Sequence, residues 1–421
     1  MARTPYTEWY ENSLRYPDSP VARHHREAWG DRPYTAFAAD FEDGLEHWDP
    51  QAWAEQFRAA GARYVVLVAK HHDGYCLWPT RVVNPNRSGW HTRRDVVGEM
   101  AEAVRGVGLR FGLYYSGGLD WTFEPRPVGS TAEVAASIPQ GAYPAYAEAH
   151  VRELIERYRP SVLWNDIAWP GRLTTLVQLI DDYRAAVPDG VVNDRWLPWS
   201  PAYRALDLAP VQRLLDRATA KAATKQGGLV PPTSPVGDVR TPEYVSFDGI
   251  KQEPWECVRG IDRSFGFNRN SQPEHFLRRA ELLDMVADIA SKGGNLLLNV
   301  GPRGEDAQLP DEQLQRLTWL GEWTASSDDA LYGTRPWVRP AAVTEEGHEV
   351  RFTARNDDVY AHVLADNVHR ASIPGVSSTP TTAVTVGGAP VDWRADPSRI
   401  SVDFARPADR PAIRLHSVGA R

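Results

Sequence analysis

At 421 residues, with 47 Lys and Arg against 55 Asp and Glu, the chain carries a net charge of −8. Its basic residues are scattered along the sequence, which argues against a nucleic-acid partner, and no apolar run approaches the ~18 residues of a membrane helix. The segment MARTPYTEWYENS has no apolar stretch of signal-peptide type, and Cys76 and Cys257 sit in apolar or aromatic surroundings that suit free thiols in a reducing compartment. A cytoplasmic location is therefore expected.

In chain order, RYVVLVAK (63–70) is a continuous apolar run, the pattern of a strand buried on both faces. RDVVGEMAEAVRGVG follows as a helix, with Asp95 as N-cap and Val97, Met100, Ala101 and Val104 on one face. RFGLYYS (110–116) reads as a strand and PAYAEAHVRELIERY (144–158) as a helix stopped before Pro160. SVLWND (161–166) is the next strand, LTTLVQLIDDYRAAV the next helix, and GVVND (190–194) a strand again. Residues 202–240 break this rhythm: ATAKAATKQGG and LVPPTSPVGD are rich in small residues, Pro and Gly, and read as an inserted loop. FLRRAELLDMVADIASKGG is a strong helix ending at Gly293–Gly294, and NLLLNVG (295–301) is a last buried strand. Strand–helix alternation over ~270 residues implies a parallel sheet, for which a closed (β/α) barrel is the commonest solution. From residue 336 onward HEVRFTA, DVYAHVLA, TTAVTV, RISVDFA and AIRLHSV alternate polar and apolar residues, as in a small antiparallel β-sandwich. The expected organisation is a catalytic domain over 1–335 and a β-domain over 336–421.

In a parallel barrel the chemistry sits where strands end. Here the strands end in Lys70-His71-His72-Asp73, in Tyr114-Tyr115-Ser116, in Asp166 and in Asp194-Arg195-Trp196. Trp164 and Trp169 flank Asp166, where they would exclude water and could face a sugar; 16 Trp and 16 Tyr in the whole chain point the same way. For His71 and His72 a metal is the rival reading. Adjacent residues on a strand point to opposite sides, and no third ligand stands at a familiar spacing, so hydrogen bonds to ligand hydroxyls are favoured and no metal is expected.

KHHDGYCLW, RFGLYYSGGLDW, VLWNDIAWP, VVNDRW, FGFNRN and SKGGNLLLNVGPRGED, together with EWYENS at residue 8 and LYGTRPW ending at 337, resemble the α-L-fucosidases of glycoside hydrolase family 29. The resemblance spans about four-fifths of the chain, in the family's motif order. It implies a retaining exo-glycosidase that removes terminal α-L-fucosyl residues from oligosaccharides or glycoconjugates. It needs no cofactor and is built as a (β/α)8-like TIM barrel followed by a β-sandwich. The family's nucleophile, the Asp of W-N-D, falls on Asp166. The acid/base, less uniform among members, falls on Glu243 of the T-x-E-Y segment in RTPEYVSFDGIKQEPWECVRGIDRSFGFNRN, with Glu253 and Glu256 as competitors. Sugar-binding positions carry over to His71, His72, Tyr114, Trp164, Arg195 and Phe265, and, from the loop around YTEWYENS, to Tyr6, Glu8 and Trp9. Retention requires two carboxyl groups ~5–5.5 Å apart, one attacking the anomeric carbon and one first giving, then taking, a proton.

One departure from the family pattern stands out. Members begin with a strand reading roughly F-G-[IL]-F-x-H-W-G, which supplies another histidine, and no such segment occurs here. The start lies further upstream, or the barrel is open or closed by a neighbouring subunit, or activity is lost and the protein only binds sugar. A missing strand exposes two sheet edges and a stripe of core, so association into a homo-oligomer or low stability is expected unless something fills the gap.

Overall fold

The computed structural model describes residues 7–226, 228 and 230–420. The chain divides into two units. One comprises Met1–Val245, Val258–Phe276 and Leu298–Leu314, and the other Ser246–Cys257, Leu277–Leu297 and Gln315–Arg421.

In the first unit, β1 (Tyr64–Lys70), β2 (Arg110–Ser116), β3 (Val162–Asp166) and β4 (Val191–Val192) form a parallel sheet in sequence order. The crossovers carry the helices Val96–Gly106, Tyr143–Tyr158 and Leu173–Ala186. The Asp95 carboxylate accepts from the Gly98 amide at 2.9 Å, so the first of these helices starts at the cap read from the sequence. The second stops at Arg159, whose φ of 44° is left-handed, because Pro160 bars an α conformation in the residue before it. The register of β2 against β3 pairs Tyr114 with Trp164 and Ser116 with Asp166. With a side-chain period of two, these four side chains share one face of the sheet, and Tyr115 and Asn165 take the other.

Two expectations are corrected. The apolar run of β1 is not buried on both faces: Tyr64–Val68 are half-buried, because among the described residues β2 is the one strand β1 pairs with and β1 forms the edge of its sheet. Residues 202–240 are not loop throughout. A 3-10 helix over Pro201–Asp207 is followed by an 18-residue α-helix, Ala209–Gln226. Small residues there read as a loop, yet Ala, Leu, Arg, Lys and Gln are strong helix formers, and no Gly interrupts them before position 227.

Further along, β5 (Trp255–Gly260) and β6 (Gly294–Asn299) pair with each other. The second unit holds a six-stranded antiparallel sheet and a three-stranded one. Both contribute to one apolar core in which Val350, Phe352, Ala361, Ile373, Ile400, Ile413 and Leu415 are fully buried. Among the described residues no helix is long and apolar enough to cross a membrane.

Candidate active site

The strand ends of the first unit bury a charged cluster centred on Arg195. Three residues past β4, its Nη1 donates to Asp166 Oδ1 at 3.0 Å and to Glu243 Oε1 at 2.5 Å. Two oxygens bound to one nitrogen can stand no farther apart than the two bonds laid end to end, about 5.5 Å, so the two carboxylates face each other at the close range that retention needs. The rest of the guanidinium is fixed by Thr241, through Nε to its hydroxyl at 3.2 Å and Nη2 to its carbonyl at 3.0 Å. Burial disfavours the charge on Arg195, but Glu243 and Asp166 outweigh it and raise its pKa above the ordinary arginine value.

Asp166 closes β3. Its Oδ2 accepts from the Tyr114 hydroxyl at 2.7 Å and its Oδ1 also accepts from the Ile167 amide at 2.9 Å. The Tyr114 ring stacks on Trp164 with centroids 5.2 Å apart, and the Arg195 guanidinium lies over the same indole, 4.5 Å from its centroid. Glu243 is held through its backbone: Tyr244 N–H donates to Val258 O at 3.0 Å and Val258 N–H to Pro242 O at 2.9 Å, which docks the TPEY segment onto β5. Both carboxylate residues precede a side-chain-bearing residue in the left-handed region, Ile167 with φ 73° and Tyr244 with φ 57°. A β-branched residue there is strained, and such strain collects at functional sites.

The competitors for the proton-transfer role sit elsewhere. Glu253 is exposed, Glu256 is buried within β5, and Arg195 bonds to neither. Phe265 packs edge-on against Tyr244, 5.4 Å between centroids. Next to it the Gly266 amide donates to Glu8 Oε2 at 3.3 Å, and Thr7 meets the Ser264 hydroxyl at 3.1 Å, so the segment bearing Glu8 and Trp9 is pinned to the Phe265 loop. Burial, reinforced by Glu243 and Asp262 against two backbone hydrogen bonds, raises the Glu8 pKa to about 7. Tyr6 lies outside the described residues.

His71 and His72 follow the end of β1, where strand alternation no longer applies. Their rings sit together, 3.8 Å between centroids, and not on opposite sides as the sequence reading had them. His71 stacks on Tyr114 at 5.8 Å. Burial holds its pKa down at about 4, despite the pull of Asp166, and holds His72 well below the usual value as well; both rings are neutral at pH 7. The Ser116 hydroxyl donates to Leu119 O at 2.9 Å and lies 2.6 Å from His72 Nδ1. With the hydroxyl proton committed, Nδ1 must be the donor, which leaves His72 Nε2 as an acceptor. Among the described residues no group of three or more His, Cys, Asp or Glu could hold a metal.

Two members of this neighbourhood, Thr241 and Trp121, escaped the sequence reading, whereas Lys70 was among the strand ends it named. Thr241 fixes Arg195. Trp121 lies edge-on to both Trp9 and His72, at 5.7 and 5.6 Å, and its amide donates to His72 O at 2.7 Å. Lys70 turns away from the cluster into a fully buried ion pair with Asp120 at 2.9 Å. The DW pair that closes SGGLDW and the Thr two before Glu243 were the available signals.

The family model for alpha-L-fucosidase matches residues 1–329. The chain belongs to the alpha-L-fucosidase family. An alpha-L-fucosidase of Branchiostoma floridae is 32% identical over 86% of this chain and 74% of that protein. The crystal structure of Thermotoga maritima alpha-fucosidase with a mechanism-based inhibitor superposes with a TM-score of 0.81 at 35% identity, covering 99% of this chain and 89% of that one. The Thermotoga maritima enzyme in complex with fucose gives 0.80 at 35% identity, over 98% and 89%. Membership makes the fucosidase chemistry the frame in which the Asp166–Arg195–Glu243 cluster is to be understood.

Proposed function

We propose that the protein hydrolyses terminal α-L-fucosides by a retaining, two-carboxylate double displacement. The observation that carries this reading is the shared Arg195 nitrogen, which keeps Asp166 and Glu243 within about 5.5 Å. Asp166 attacks the anomeric carbon and forms the glycosyl-enzyme bond, its orientation held by Tyr114 and the Ile167 amide. Glu243 donates a proton to the leaving oxygen, then takes one from the water that releases fucose. Its bond to Arg195 suits the second of these steps, in which it acts as a base.

Neutral His71 and the acceptor Nε2 of His72 are placed to bond sugar hydroxyls, and a site of buried polar groups strongly rejects analogues that lack them. Trp164, Trp9 and Phe265 provide flat faces for the ring and its methyl group. The parallel strands are read as arcs of an irregular (β/α) barrel and the two antiparallel sheets as a sandwich. A relative that binds fucose without turning it over is not favoured, because both carboxylates are present and joined by one guanidinium.

The test is proton NMR of an aryl α-L-fucoside during hydrolysis. The α-anomer of fucose is expected to appear first, with the β-anomer arising by mutarotation. Release of the β-anomer first, or no release, would overturn the reading.

A further inference from the structure

The helix Ala209–Gln226 is tied at both ends to the cluster just described. It lies in the segment that leaves β4 through Arg195 and returns through Thr241 and Glu243. Gly228, two residues beyond its end, packs so closely on the acid/base loop that a Cβ there would press on the Glu243 carbonyl oxygen at 2.5 Å. Its inner side rests on the helix Thr131–Ala136, where Asp216 accepts from the Ala132 amide at 2.9 Å. The other acids of this stretch are engaged too, Asp207 by Arg126 at 3.1 Å and Asp238 by Arg184 at 2.8 Å.

Its outer side is basic. Arg213, Arg217 and Lys221 recur every four residues, and all three are exposed. A rise of ~1.5 Å per residue sets successive charges about 6 Å apart along one stripe. Among the described residues none of the three has an ion pair, hydrogen bond or ring contact. In sequence these charges look scattered; the helix aligns them. Like charges stacked at this spacing destabilise a helix, and the chain as a whole is acidic, at −8. On an acidic chain, these three aligned cations have no compensating partner among the described residues, on a helix whose following Gly228 abuts the loop that carries Glu243.

We propose that this stripe receives an anionic aglycone, a saccharide chain bearing sulfate or carboxylate groups attached to the fucose being cleaved. The inference rests on the fucosidase reading, because it is Glu243's role that places the leaving group on this side. Charge complementarity is the recognition: the fucose is held in the cluster around Asp166, and the chain beyond the scissile bond runs past Glu243 toward Lys221, then Arg217 and Arg213. The occupant is a sugar and not a protein, because the stripe is narrow, a single exposed helix face with Leu214 as its large apolar side chain, 71% exposed.

The experiment compares wild type with Arg213→Ala/Arg217→Ala/Lys221→Ala. None of the three side chains is used in packing, so the fold should be retained. Three substrates are assayed: a sulfated α-L-fucosyl oligosaccharide, the same oligosaccharide after desulfation, and a neutral aryl α-L-fucoside. The triple variant should lose roughly tenfold in kcat/KM on the sulfated substrate. It should keep its rates on the other two, and lose the salt sensitivity that the wild type shows with the anion. An equal sulfated-to-desulfated ratio in both proteins overturns the proposal. So does an unchanged ratio accompanied by a shift toward monomer in sedimentation, which would assign the stripe to a second copy of the chain. If wild type fails to cleave the aryl fucoside, the fucosidase reading itself falls. Calorimetric titration of both proteins with the sulfated oligosaccharide then decides the stripe alone, with weaker binding by the variant expected and equal binding overturning it.

Discussion

The core between the antiparallel sheets fully buries Val350, Phe352, Ile373, Ile400, Ile413 and Leu415 among others, while the ends of β1 to β4 bury Lys70, His72, Ser116, Asn165, Asp166 and Arg195. The first set gains free energy from apolar burial. The second loses hydration and recovers it only through pairing: Lys70 with Asp120, Arg195 with two carboxylates, His72 with a hydroxyl. Well-packed apolar residues would stabilise the strand ends as well or better, so the polar ones are kept for what they do. Substitutions in the two regions should separate rate from stability.

Asp166→Gly should lower kcat on an aryl α-L-fucoside by roughly 10⁴-fold or more while leaving the circular dichroism and melting curve close to wild type. Near-normal turnover would remove Asp166 from the nucleophile's role. Glu243→Ala should cost about 10²–10⁴-fold, with partial recovery in azide, an anion that attacks the glycosyl-enzyme without needing a base. Should Glu256→Ala respond to azide instead, the acid/base belongs to β5. Phe352→Ala is the converse: about 3–5 kcal/mol less stable in denaturant titration, with kcat per folded molecule unchanged. A large drop in kcat there would mean the two regions are not energetically separate.

The smallest effect concerns Glu8. Its folded-state pKa, raised to about 7, means the folded protein favours the neutral acid. The stability this contributes is complete below the unfolded value and disappears as pH rises through the folded one. Thermal stability should therefore decline between about pH 5 and about pH 8. Glu11, raised to about 7 chiefly by burial, contributes in the same direction. Glu8→Gln should flatten part of that decline, and a slope identical to wild type would place Glu8 in a wetter setting than the one described.

How much of this could be read beforehand depended on whether a feature is local. β2 and β3 begin and end within a residue of the apolar runs that mark them, and Asp166 drew notice because it ends a run between two indoles. The Asp95 cap, three residues from the amide that donates to it, was equally readable. Arg195's double engagement was not, since its partners stand 29 and 48 positions away and nothing in NDRW encodes which side chains the fold will bring to it. The half-burial of β1 was hidden for a related reason: an apolar run reports what a strand can bury, whereas its neighbours decide how much it does. The helix at 209–226 hides in the sequence because small residues between Pro- and Gly-rich stretches read as a loop, whereas the propensity of Ala, Leu, Arg, Lys and Gln is helical.

That both carboxylates answer to a single guanidinium nitrogen also bears on how this scaffold can change. Their separation is gauged by one atom, and the 48 positions between Arg195 and Glu243 need only deliver the TPEY segment to β5. Lengthening, shortening or recharging that stretch would alter what approaches the leaving group without disturbing the spacing on which bond cleavage relies. Selectivity for the departing partner and the power to break the bond are thus free to evolve along separate lines.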